Sequence, residues 1–85
     1  MEEKRIGTVI DYFAKIGVVA FRVEEEGLKV GDTIHLKGHT TDLTEKVISM
    51  QIDLEVIEEA KIGDDVGIKI KDRARKGDAV YKVIE

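Results

Sequence analysis

The feature that most restricts this chain is a two-residue rhythm of Val, Ile and Phe broken by Gly-Asp pairs. Val19, Phe21 and Val23 alternate; so do Ile34 and Leu36, and then Val66, Ile68 and Ile70. Successive strand side chains point to opposite faces, so this rhythm predicts short strands with one face buried. Ile6, Thr8, Ile10 and Tyr12 are expected on one face of a first strand, with Val9 and Phe13 on the other. Ile48, Met50 and Ile52 are expected to share a face further on. Gly17 suits a hairpin turn, and Gly31-Asp32, Gly63-Asp64 and Gly77-Asp78 mark three more. There glycine supplies an unusual dihedral and Asp bonds to nearby main chain. Their spacing is unequal and their flanks differ, so they read as turns rather than as an internal repeat. Six or seven such strands in 85 residues predict an all-β fold in one domain over 1–85. One small closed β-barrel is favoured over a sandwich because closure leaves no sheet edge.

Composition narrows the function classes. There is no cysteine, which excludes disulfides, Cys-based zinc sites and a thiol nucleophile and fits a reducing, cytoplasmic setting. No apolar run approaches the roughly 20 residues of a membrane span. The N-terminal MEEKRIGTV lacks the apolar core of a signal peptide. The net charge of −4 argues against a general nucleic-acid coat but leaves room for a local basic patch.

Three clusters carry candidate chemistry. His39, Thr40, Thr41 and Asp42, with His35 upstream, read as a metal or base–orienter site or as a hairpin tip that contacts a partner. In an extended strand His35 and His39 would lie roughly 13 Å apart at ~3.3 Å per residue, too far for one ion. The turn is therefore preferred. Lys69, Lys71, Arg73, Arg75 and Lys76 form a basic run, with Lys71, Arg73, Arg75 and Lys76 the candidate phosphate or RNA contacts. The alternative is a solvated loop. Glu24–Glu26, with Glu55, Glu58 and Glu59, lack an acid–base partner and read as solvated turns and strand exits. Asp64-Asp65 lacks the spaced ligands of a calcium loop. No nucleophile–base pair survives this reading, so the chain is expected to be a binding module that is not an enzyme and carries no cofactor.

Several motifs fall in an order that resembles the second, β-barrel domain of elongation factor Tu and related translational GTPases. They are Lys29-Val30-Gly31-Asp32, Gly38, Met50-Gln51, the run Ala60-Lys61-Ile62-Gly63-Asp64-Asp65-Val66-Gly67, and Gly77-Asp78. The resemblance covers most of the chain, most closely Val23 to about Ile70, and implies a small closed six-stranded Greek-key-type β-barrel. It also implies a pocket at Gln51, Leu54, Asp65 and Lys69, where that family holds the end of tRNA. All four residues differ from the family's own. No phosphate-binding loop is present, so GTP is not an expected ligand. The implied function is a stand-alone module contacting tRNA, rRNA or a translation component. The alternative is a protein–protein adapter or an accessory barrel of a larger RNA-modifying or translation complex. Similar small barrels also end some collagenase-like peptidase-family proteins linked to RNA modification.

Overall fold

The structure is a computed structural model and describes residues 2–84. In chain order the strands are β1 (Glu2–Phe13), β2 (Val18–Val23), β3 (Leu28–Lys29), β4 (Thr33–Lys37) and β5 (Asp42–Lys46). After them come β6 (Met50–Ile52), β7 (Glu55–Ile57), β8 (Glu59–Ala60), β9 (Asp65–Lys69) and β10 (Ala79–Ile84). Eight of them form one antiparallel sheet in the order β5-β4-β10-β1-β2-β9-β6-β7, while β3 and β8 pair separately. The all-β expectation is met. No helix among the described residues is long and apolar enough to cross a membrane.

The closed six-stranded barrel is corrected by the strand pairing. β5 and β7 end the sheet without bonding to each other, and the strands number ten among the described residues. Turn and loop main chain extends the β4–β5 and β3–β8 pairs by one more bond each. Gly31 N–H donates to Val47 O at 2.8 Å and Val30 N–H to Glu58 O at 2.9 Å. Side chains from both halves of the sheet still meet in one core. It contains Ile6, Val9, Val19, Phe21, Ile34, Leu36, Met50, Ile68 and Val80, all at most 2% exposed. Burying such side chains is the main favourable term in a domain of this size.

The period-two expectation holds in β2, β4 and β9 and fails in β1. The β1 register slips against β10 between Arg5 and Gly7, and against β2 between Val9 and Asp11. Each irregularity shifts the alternation by one residue. Ile6 and Val9 therefore both turn inward, and Ile10 turns out. Gly7 permits the close approach: a Cβ there would collide with the Arg22 carbonyl oxygen. The expected Ile48–Met50–Ile52 face fails too. The chain leaves the strand before Met50, so Val47 is buried and Ile48 is 79% exposed.

The three Gly-Asp turns share one geometry. In each, the Asp N–H donates to the carbonyl three residues back, and the Asp carboxylate accepts from that residue's N–H. The pairs are Lys29 with Asp32, Lys61 with Asp64 and Arg75 with Asp78, all between 2.8 and 3.1 Å. Gly31, Gly63 and Gly77 have φ of 101°, 95° and 93°. A positive φ at the third position of a four-residue turn is what glycine supplies without steric cost.

Candidate functional site

Two of the clusters singled out in the sequence meet at one end of the sheet. Thr40, Thr41, Asp42 and Leu43 face Asp72, Arg73 and Arg75 across a recess of about 330 Å³. A more open depression of about 590 Å³ continues on the other side of the arginines, past Asp11, Tyr12, Ala14 and Lys76. Ile70 and Ala74 are buried and pin the 70–76 segment to the core, which leaves Lys71, Arg73, Arg75 and Lys76 exposed. Arg73 and Arg75 flank buried Ala74, so both point away from the core.

The far end of this segment is held tightly. Gly77 N–H donates to Val9 O at 2.9 Å, and Val9 N–H to Asp78 O at 2.8 Å. Asp78 is only 6% exposed. Its carboxylate accepts from Arg75 N–H and fills the space that a Cβ on Gly38 would need. Gly38, expected to end a strand, therefore also makes room for a buried carboxylate. A buried charge of this kind stands only with hydrogen bonds around it.

The acids lining the recess are already engaged. Asp72 accepts from Arg73 N–H at 2.7 Å. Asp42 Oδ1 lies 2.5 Å from His35 Nε2, while His35 Nδ1 lies 2.7 Å from Glu3 Oε2. The imidazole is clamped between carboxylates from β1 and β5, with the Tyr81 ring of β10 at 6.3 Å. The hydrogen bond to Asp42 chiefly raises the His35 pKa above its usual value, with Glu3 adding to it and partial burial opposing. The same bond holds the Asp42 carboxyl below the usual carboxylate range. Both ring nitrogens can donate at once only in the imidazolium form.

Glu3 and Asp42 sit on opposite edges of the ring and do not converge, and His39 is exposed at the loop tip. Among the described residues no three His, Asp or Glu side chains are placed to hold an ion. Sequence reasoning missed Glu3 altogether. It comes from 32 positions away, and no local motif announces it.

The four residues implied by the translation-factor resemblance lie elsewhere. Gln51 pairs with Gly67 on the outer side of β6 and β9, between Asp65 and Lys69. Leu54 caps the β6–β7 turn at 92% exposure with φ of 69°. Asp65 is held by Arg22 through bonds of 2.8 and 3.1 Å. The set lies along an open sheet face and its hairpin tip.

No family model matches the chain. It is 41% identical over 81 residues to an uncharacterized protease of Methanocaldococcus jannaschii, covering 94% of this chain and 20% of that protein. It is 33% identical over 78 residues to a collagenase of Porphyromonas gingivalis, covering 91% of this chain and 22% of the other. The chain thus spans about a fifth of the length of the curated relatives it matches. Its fold is similar to the C-terminal domain of a Geobacillus thermoleovorans protein named as a U32 peptidase. The TM-score is 0.84 at 15% identity, over 91% of this chain and 96% of that one.

These similarities overturn the expected kinship with translational GTPases, and with it the stand-alone translation-factor module. The physical reason is visible in the turns. The Lys-x-Gly-Asp pattern that carried the resemblance satisfies a turn geometry used three times within this chain with Lys or Arg at its first position. Such a pattern reports backbone chemistry rather than a tRNA pocket.

Proposed function

We propose that this chain is an accessory β-domain of a protease- or collagenase-type protein, contributing polypeptide contacts rather than bond cleavage. The observation that carries this reading is the extent of the matches. They take in nearly all of this chain but a fifth of the proteins named protease and collagenase, and nearly the whole of a separately solved C-terminal domain. The loop end supports a contact role, because binding residues concentrate on loops held by a rigid scaffold. His35, the best-placed imidazole, has both ring nitrogens occupied by carboxylates, which suits a structural clamp better than a general base. The cytoplasmic setting expected from the cysteine-free sequence remains part of this proposal.

The test compares the Methanocaldococcus jannaschii relative with a version lacking the matching segment, on gelatin and on a fluorogenic peptide library. The 85-residue chain is assayed alongside. The expected result is no cleavage by the chain alone, and a raised KM with largely retained kcat for the shortened relative. Cleavage by the chain alone that disappears on His35→Gln would overturn the non-catalytic reading.

A further inference from the structure

We infer that the recess between residues 40–43 and 72–75 is a carboxylate-binding subsite, in which Arg73 and Arg75 grip an acidic group of an extended polypeptide. The inference deepens the contact role proposed above and rests on it.

The argument starts from which charges are engaged. Asp72 is bonded to main chain, Asp42 to His35, and Asp78 to the Arg75 N–H. Among the described residues, the ion pairs join Arg22 to Asp65, Lys29 to Glu59, His35 to Glu3 and Asp42, and Lys82 to Asp32. None of them involves Arg73, Arg75, Lys71 or Lys76. Each of these acids thus has a hydrogen-bond partner within the fold, while among the described residues neither guanidinium lies within ion-pair distance of a carboxylate. That imbalance is what an incoming anion corrects.

The spacing fits one oxyanion. Arg73 and Arg75 lie two residues apart and both line the one recess. Both side chains reach outward on either side of the anchored Ala74. A carboxylate offers two oxygens and about four lone-pair directions, enough for two guanidinium forks. Lys76 extends the cationic wall into the neighbouring depression, where Tyr12 and Ala14 add apolar surface.

The acids that line these recesses decide between carboxylate and phosphate. Asp11, Asp42 and Asp72 all border the space. Their combined field opposes a dianion or a polyanion more than a single negative charge. A phosphate-backbone grip needs several unopposed cations, whereas one carboxylate needs only the local fork. The carboxylate could be an Asp or Glu side chain or a chain's own C-terminus, and peptides distinguish these sources.

The experiment uses the 85-residue chain and fluorescence anisotropy at low salt. One labelled peptide is an end-blocked Gly–Glu repeat, a second is its Gly–Gln counterpart, and a third is a Gly-rich peptide with a free C-terminus. Saturable binding of the first or third, absent for the second, is the expected result. The side-chain source is assigned if the first binds, and the terminal source if only the third does. Arg73→Gln and Arg75→Gln should each weaken binding by about tenfold, as for a lost hydrogen bond to a charged group. Lys4→Gln, outside the recess, should leave binding unchanged. Both arginines are exposed, so circular dichroism should show these variants folded.

Unchanged affinity in both arginine variants would overturn the subsite. Tighter binding of inorganic phosphate or of a short oligonucleotide than of either acidic peptide would overturn the carboxylate assignment. Failure of all three peptides to bind would also reject the inference. The accessory-domain reading would then stand or fall separately, on the KM of the shortened relative.

Discussion

The loop end of the sheet and the β6–β7 ribbon carry charge in opposite ways. At the loop end, Asp42, Asp72 and Asp78 are each bonded within the fold, and Arg73 and Arg75 are left to face solvent. Beside the ribbon, Arg22 and Asp65 satisfy one another, and Leu54 at 92% and Val56 at 72% are exposed alongside the acids Asp53 and Glu55. The first region offers an electrostatic vacancy in a shaped recess. The second offers an open surface that mixes apolar and acidic side chains and presents no free guanidinium. A single side chain's chemistry thus says little until its partners are known.

The largest expected effect breaks the loop end from within. Gly38→Ala places a methyl group against the Asp78 carboxylate, and overpacking of this kind costs about 1–3 kcal/mol. In a domain of this size each kcal/mol lowers Tm by roughly 4–8 °C, which calorimetry resolves easily. The paired variant Gly38→Ala with Asp78→Ser should recover part of the loss. Full additivity would mean that the two residues do not share the space.

A second, smaller contrast lies among the three identical turns. Asp78→Ala removes the acceptor for Arg75 N–H in a buried setting, at a cost of about 1–3 kcal/mol. Asp64→Ala removes the same bond where the side chain is less buried, so its denaturation midpoint should move less. Equal shifts would show that burial against Gly38 adds nothing.

The third effect depends on pH. The His35 pKa is raised, so its contribution is full below the ordinary value of 6.5 and fades as pH rises through the folded value. The Asp42 pKa is lowered, so its contribution is full above 3.8 and fades as pH falls through the folded value. The clamp should therefore stabilise most between about pH 3.8 and 6.5. Tm should fall from pH 6 to pH 9 more in the native chain than in His35→Gln. A proton NMR titration placing His35 below 6.5 would contradict the clamp.

The smallest effect belongs to the ribbon side. Arg22→Ala breaks an exposed pair, and such pairs contribute little in water. No measurable change in Tm is expected, and a large drop would show that this face is more tightly coupled to the core than its exposure implies.

Much of the framework was legible in the sequence because it rests on local chemistry. The buried alternation of Val19, Phe21 and Val23 and the Gly-Asp turns follow from strand pleat and positive-φ geometry within a few residues. What stayed hidden depended on distant pairing. The slips in β1 that turn both Ile6 and Val9 inward need the β10 and β2 registers to appear. The clamp on His35 needs Glu3 from another strand. The two candidate clusters at 39–42 and 71–76 could each be named from the sequence. That Thr40, Thr41 and Asp42 share a recess with Arg73 and Arg75 could not, because over thirty residues and five strands separate them.

The most direct measurement is an amide NMR titration of the 85-residue chain with the end-blocked Gly–Glu peptide and, in parallel, with the Gly-rich peptide that has a free C-terminus. Shifts concentrated at residues 40–43 and 72–76, with β6 and β7 unmoved, are expected. Shifts confined to Gln51, Leu54 and Val56, or none with either peptide at saturation, would contradict a contact surface at the loop end.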